Sequence, residues 1–147
     1  MADNLARFYK PQEKYYSMAL QEIKGGQKKT HWIWFIFPQL KGLGFSDYSK
    51  FYGIDGLQEA KAYMQNEILK FRLIEISAAL ESQQKTNLAD IVGGVDSAKI
   101  HACWTLFYIA SKESIFKKCL KKYFNGRFHS DTLSFLPINE IIKSQNL

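Results

Sequence analysis

The sequence predicts an all-α fold, a single compact domain of seven to nine helices, several of them short. Three observations carry that prediction. Apolar residues recur at i, i+3, i+4 and i+7 in most segments, the period of a half-buried helix. Nowhere do two alternating segments flank a tight turn, as a hairpin requires. No linker, repeat or low-complexity tract divides residues 1–147, and a chain of this length buries about two-thirds of the surface its unfolded form exposes.

Residues 12–24 read as a first helix on the stripe Tyr16, Ala19, Leu20 and Ile23, with Pro11 suited to an early helical position and Gly25-Gly26 ending it. Thr30 is placed to cap a short helix through the Trp/Phe run. A buried strand fits the same consecutive apolar residues, and Pro38 stops either one. A glycine loop occupies 39–45, and Ser46 caps a turn through Phe51. Asp55 begins a helix whose Leu57, Ala60 and Met64 face inward, and Glu67 to Ser82 follows with Leu69, Leu73, Ile76 and Leu80. Asn87 caps one turn closing at Gly93-Gly94. Asp96 is the cap candidate for the next helix, where Cys103, Phe107 and Ala110 share a face with Ile100 and Trp104 nearby. Two last helices, near 113–124 and 131–145, are separated by Asn125-Gly126 and the cap candidates Ser130 and Asp131.

A hydrophobic share of 46% and an aromatic share of 15% disfavour disorder. The longest apolar run, Trp32 to Pro38, is far short of the roughly 20 residues that span a bilayer, so no membrane partner is expected. Met1-Ala2-Asp3-Asn4 has neither a basic nor an apolar leader, which points to a cytoplasmic location. Cys103 and Cys119 lack Cys-x-x-Cys spacing and read as reduced packing residues. His31, His101 and His129 show no zinc-site spacing, so neither metal nor cofactor is predicted. Gly-x-Ser-x-Gly is absent, and Ser46 and Ser49 have capping explanations.

The net charge of +6 favours anionic partners. Lys117, Lys118, Lys121, Lys122 and Arg127 cluster late in the chain, readable as a solvated face or as a phosphate-contacting surface that leaves nucleic acid open as a partner. The oligomeric state is not set by the sequence.

The stretch 28-KKTHWIWFIFPQLKGLGFS-46 mixes rings, cations and glycines in the way ligand pockets do. Trp32 and Trp34 offer stacking faces for a base, while Gly42 and Gly44 permit positive φ and backbone amides aimed at an anion. Core packing is the competing reading for the rings, a plain turn for the glycines, and a structural hydrogen bond for His31. Glu59 and Tyr63 stand at i, i+4, so both can enter one cavity. Asp96 and Lys99 lie one turn apart, as a cap with an ion pair or as part of the site.

The run KKTHWIWFIFPQLKGLGFSDYSKFYGI, followed by GLQEAKAYMQNEIL, DSAKIHACWTLF and SDTLSFL, resembles the bacterial DUF-eighteen-ten family, a domain of unknown function, from Leu5 to Leu136. Ile33 and Phe45 stand where that family more usually has Met and Arg. The resemblance implies a helical single-domain protein and weights Lys28, His31, Trp32, Trp34, Gln39, Gly44, Ser46, Ser49, Tyr52, Glu59, Tyr63, Asp96 and Lys99; it carries no activity across. The segment Glu59-Ala60-x-x-Tyr63 resembles the Glu-bearing helix of the NADAR family of ADP-ribose glycosidases.

Two functions follow as expectations. One is a module whose aromatic and polar pocket binds an anionic, nucleotide-like small molecule through Lys28, Trp32, Trp34, Gln39, Gly44, Ser46, Ser49, Tyr52, Tyr63, Asp96 and Lys99. The alternative is a hydrolase or glycosidase acting on ADP-ribose-type or nucleotide substrates, with Glu59 or His31 as catalytic acid/base.

Overall fold

The computed structural model describes residues 4–145; Met1–Asp3, part of the stretch behind the cytoplasmic expectation, lie outside them. The described residues form ten helices and no strand, one more helix than the sequence predicts at most. They are α1 (Ala6–Lys24), α2 (Ile33–Ile36), α3 (Asp47–Tyr52), α4 (Gly56–Gln65), α5 (Glu67–Glu81), α6 (Ala89–Val92), α7 (Gly94–Ser111), α8 (Ser114–Phe124), α9 (Ser130–Leu133) and α10 (Ile138–Gln145). None is long and apolar enough to cross a membrane.

The centre is α7. Every residue from Ala102 to Ile109 is buried, so this helix is apolar on all sides and needs neighbours all round. It receives α4 and α8 along its length, with α2, α6, α9 and α10 closing the remaining faces. Helix α5 packs on α8 and buries Leu69, Leu73, Ile76 and Leu80 as their spacing predicts, and α1 lies against α5 and α2.

Four boundaries differ from the sequence reading, each for a physical reason. Helix α1 begins six residues early, because burial of Leu5, Arg7 and Phe8 holds its first turn down and Pro11 is accommodated inside it. The Trp/Phe run is a single helical turn, but Thr30 does not cap it; the Thr30 hydroxyl donates to Glu22 instead. Helix α7 starts at Gly94, after Gly93 at φ 89°, which puts Asp96 in the first turn rather than at the cap. The segment 131–145 is broken into α9 and α10 at Leu136-Pro137, where proline disfavours helix in the preceding residue, and the α9 cap is His129 rather than Ser130 or Asp131.

Cys103 and Cys119 are unpaired and buried, and burial pushes both thiols up, consistent with packing residues. Where α5, α7 and α8 meet, the Trp104 indole N–H donates to Ser77 Oγ at 2.9 Å with both residues fully buried. Replacing Ser77 by Ala strands that N–H. The Ser77→Ala protein is therefore expected to lose about 1–3 kcal/mol in urea unfolding; an unchanged midpoint would mean the indole finds another acceptor.

Candidate functional site

The segment 28–37 is held in place from α1. Glu22 accepts from the backbone N–H groups of Lys29 and Thr30, from Thr30 Oγ1 and from the Trp32 indole at 2.7–3.1 Å. Burial pushes the Glu22 carboxyl up, but these four donors outweigh it and bring its pKa down to about 2. Lys28 is held as tightly. Its ammonium donates to Thr30 O at 2.6 Å, pairs with Asp96 at 2.9 Å and lies 4.8 Å from the Trp32 ring centroid.

Between α2, α3 and α7 lies a narrow cleft lined by Trp34, Gln39, Ser49, Tyr52 and Lys99, with Ile33, Phe37 and Gly53 behind them. Each element supplies its part for a local reason. Trp34 leaves the buried face of α2 half-exposed and stacks on Tyr48 of α3, centroids 4.6 Å apart at 22°. Ser46 caps α3 by accepting from Ser49 N–H, and its hydroxyl meets the buried Ser49 Oγ at 3.0 Å. Lys99 projects from the first turns of α7 to within 5.7 Å of the Trp34 centroid, its other partner being Asp96 at 3.7 Å. The loop 39–45 closes over Ser49. A Cβ at Gly44 would stand 2.5 Å from Ser49 Oγ, so Gly44 serves close approach, while the positive φ of this loop falls on Gly42 at 103°.

The polar ends are not equally occupied. Among the described residues, the Gln39 amide and the Tyr52 hydroxyl have no hydrogen-bond partner, and Lys99 has its longer ion pair and the Trp34 ring. Burial raises the Tyr52 pKa, with the neighbouring Tyr48 adding to it, so the phenol stays protonated. The cleft has room for about 10 Å³, the size of one water.

Five of the residues singled out in the sequence thus line one cleft, and Lys28, Asp96, Gly44 and Ser46 adjoin it. Four lie elsewhere. Trp32 is fully buried and offers no face to solvent. His31 is exposed, without a hydrogen bond among the described residues. Tyr63 is fully buried and accepts from Gln12 Nε2 at 3.0 Å, whereas Glu59 opens onto a different, shallow depression beside Arg7 and Lys41. The two therefore do not share a cavity despite their i, i+4 spacing.

Arg7 grips Glu59 through both oxygens, at 2.6 and 3.2 Å, and donates also to Phe51 O and Gly53 O. Burial raises the Glu59 carboxyl, but the bonds from Arg7 and from Asp55 N–H hold it below its ordinary value. The sequence reading missed Arg7, Gln12, Glu22 and Tyr48. Tyr48 lies inside the quoted motif and carried a signal. The partners of Arg7 at Phe51, Gly53 and Glu59 are 44–52 positions away, so no local pattern marks it.

Two outcomes are expected from this geometry. Glu22 stabilises the fold fully above its ordinary pKa of 4.5, and that contribution is lost as pH falls through about 2. A Glu22→Gln protein will accordingly be less stable at neutral pH and show a flatter acid limb between those values in chemical denaturation. Glu59→Gln, which leaves the buried Arg7 charge without its carboxylate, should cost about 3 kcal/mol; a loss under about 0.5 kcal/mol, the range of ordinary surface changes, would contradict the clamp.

Comparison with known proteins agrees with this architecture. The crystal structure of the conserved hypothetical protein Rv1873 from Mycobacterium tuberculosis superposes with a TM-score of 0.88 at 36% identity, covering 90% of this chain and 96% of that one. No curated protein matches the chain. The family model described as "Protein of unknown function (DUF1810)" matches residues 2–136. With a match over nearly its whole length, the chain belongs to the DUF1810 family.

Proposed function

We propose that this protein is a binding module for a planar, anionic ligand of the nucleotide class, held at the cleft between α2, α3 and α7. One observation carries the reading: the Gln39 amide and the Tyr52 hydroxyl, neither with a hydrogen-bond partner among the described residues, line the cleft beside the Trp34–Tyr48 stack together with the Lys99 ammonium, whose ion pair to Asp96 is a long 3.7 Å. These polar ends reach solvent, where a ligand can meet them, and they comprise two neutral groups able to donate and one cation.

The dimensions refine the ligand. A space of about 10 Å³ admits one acidic oxygen and not a whole molecule. The remainder lies on the outer face of the ring pair, where Tyr48 is 58% exposed. A flat aromatic body gains about 1–3 kcal/mol from such a platform. Lys28 and Asp96 position Lys99 from behind through the Lys28–Asp96–Lys99 chain of ion pairs.

Binding without turnover is favoured over the glycosidase alternative by the state of Glu59. Both of its oxygens are engaged by Arg7, and its carboxyl is held ionised rather than poised to exchange a proton near neutrality.

Thermal unfolding against AMP, ADP and ADP-ribose is expected to show stabilisation growing with concentration, about 2.7 kcal/mol at a hundredfold excess over Kd. The stabilisation should be smaller in Trp34→Ala and in Lys99→Met than in the unaltered chain, and chromatography should return each ligand unchanged. Stabilisation undiminished by either substitution would contradict the assignment to this cleft, and conversion of a ligand would contradict the absence of chemistry.

A further inference from the structure

A second cavity, of about 430 Å³, opens between α7, α8, α9 and α10, and the site described above uses none of its walls. Its size falls within the range of about 300–1,000 Å³ typical of small-molecule sites. The inner surface is apolar and aromatic. Tyr108 from α7 and Leu120 from α8 are buried there, Leu133 of α9 adds a third side, and Phe128 packs on Tyr108 with centroids 6.2 Å apart at 37°. The rim is cationic, formed by Lys117, Lys121 and Arg127, and among the described residues no acidic side chain lines the space.

The local sequence builds this arrangement. Lys117 and Lys121 stand one turn apart on the same face of α8, the face that also buries Leu120 at its edge. Asn125 and Gly126 both take positive φ, 56° and 75°, which reverses the chain and brings Arg127 back over α8. That reversal is fixed at three points. Gly126 N–H donates to Leu120 O, Arg127 N–H donates to Phe124 O, and the His101 ring, stacked on Phe124 at 3.7 Å, donates from Nε2 to Arg127 O at 2.8 Å. The guanidinium of Arg127 and the ammonium of Lys121 form no ion pair among the described residues.

We infer that this cavity is a binding site for a nucleoside monophosphate or a closely similar aromatic phosphomonoester, with the planar body between Phe128, Tyr108 and the two leucines and the phosphate at the cationic rim. A phosphomonoester carries about −1.5 to −2 charges at neutral pH, which the Arg127 and Lys121 cations match. The planar guanidinium of Arg127 matches two phosphate oxygens at once, which a lone ammonium does not. An inorganic anion satisfies the rim alone, and a neutral nucleoside satisfies the walls alone; only a molecule with both parts uses the whole lining.

The inference is independent of the cleft proposed above, and one experiment separates them. Amide and indole resonances of the full chain are followed by NMR during titration with AMP, adenosine, inorganic phosphate and an oligothymidylate. AMP should move Gly126, Arg127 and Phe128, with affinity about tenfold above that of adenosine or phosphate. Arg127→Met and Lys121→Met should each weaken it about fivefold or more. Both residues are exposed, so the fold is retained, and Lys118→Met, a change of equal charge on the same helix outside the cavity, should have no effect. Shifts confined to the Trp34 indole and Lys99 would overturn this inference while supporting the cleft. Equal affinity for phosphate and AMP would show a rim without a pocket, and tighter binding of the oligonucleotide would recast the same cations as a nucleic-acid surface; either result defeats the proposal.

Discussion

Everything in this molecule is arranged around one helix that cannot face water. Helix α7 is buried from Ala102 to Ile109 without interruption, so a single amphipathic partner could never shield it. Helices α4 and α8 cover two sides, and the shorter α2, α6, α9 and α10 close the rest. The fold therefore has many short elements because a cylinder of apolar surface has to be wrapped, and short pieces turn corners that long ones cannot.

Wrapping the core with connectors brings backbone and polar side chains against it, and these must find partners inside the protein. Charged side chains do that here. Glu22 gathers four donors from 29–32, Arg7 ties 51–53 to α4, and Lys122 of α8 donates to the carbonyls of Glu81 and Gln83 at the end of α5. Among the described residues, no buried side-chain nitrogen or oxygen lacks a hydrogen bond. The ends of Gln39 and Tyr52, which have no hydrogen-bond partner among the described residues, therefore reach solvent at the cleft instead of belonging to the polar interior.

Legibility varied with the range of the forces involved. The inward face of α5 could be read from Leu69, Leu73, Ile76 and Leu80, because a helix repeats locally and each burial follows from its neighbours. Asn66 and Ser46 cap their helices with partners two or three residues away; the sequence reading identified Ser46 but not Asn66. Asp96 also looked like a cap, yet its strongest partner, Lys28, is on a different element. Glu59 and Tyr63 share a helix and point to different environments, since Tyr63 meets Gln12 in the core and Glu59 meets Arg7 at its edge. Helix spacing fixes the angle between two side chains, but not what each one finds at the end of it.

By itself the sequence determined the all-α class, the inward stripes of the long helices and a chemically mixed stretch around 28–46, because these follow from period, composition and turn residues within about one helical turn. Only the tertiary structure decided which polar side chains are structural ties and which are left without a hydrogen-bond partner. That choice depends on partners 44–60 positions apart, as for Arg7 with Phe51 and Arg72 with Gln12, and on which short helix fills each gap around α7. The cationic cavity beside Phe128 arises in the same way: five separate segments meet there, and no one of them carries its outline alone.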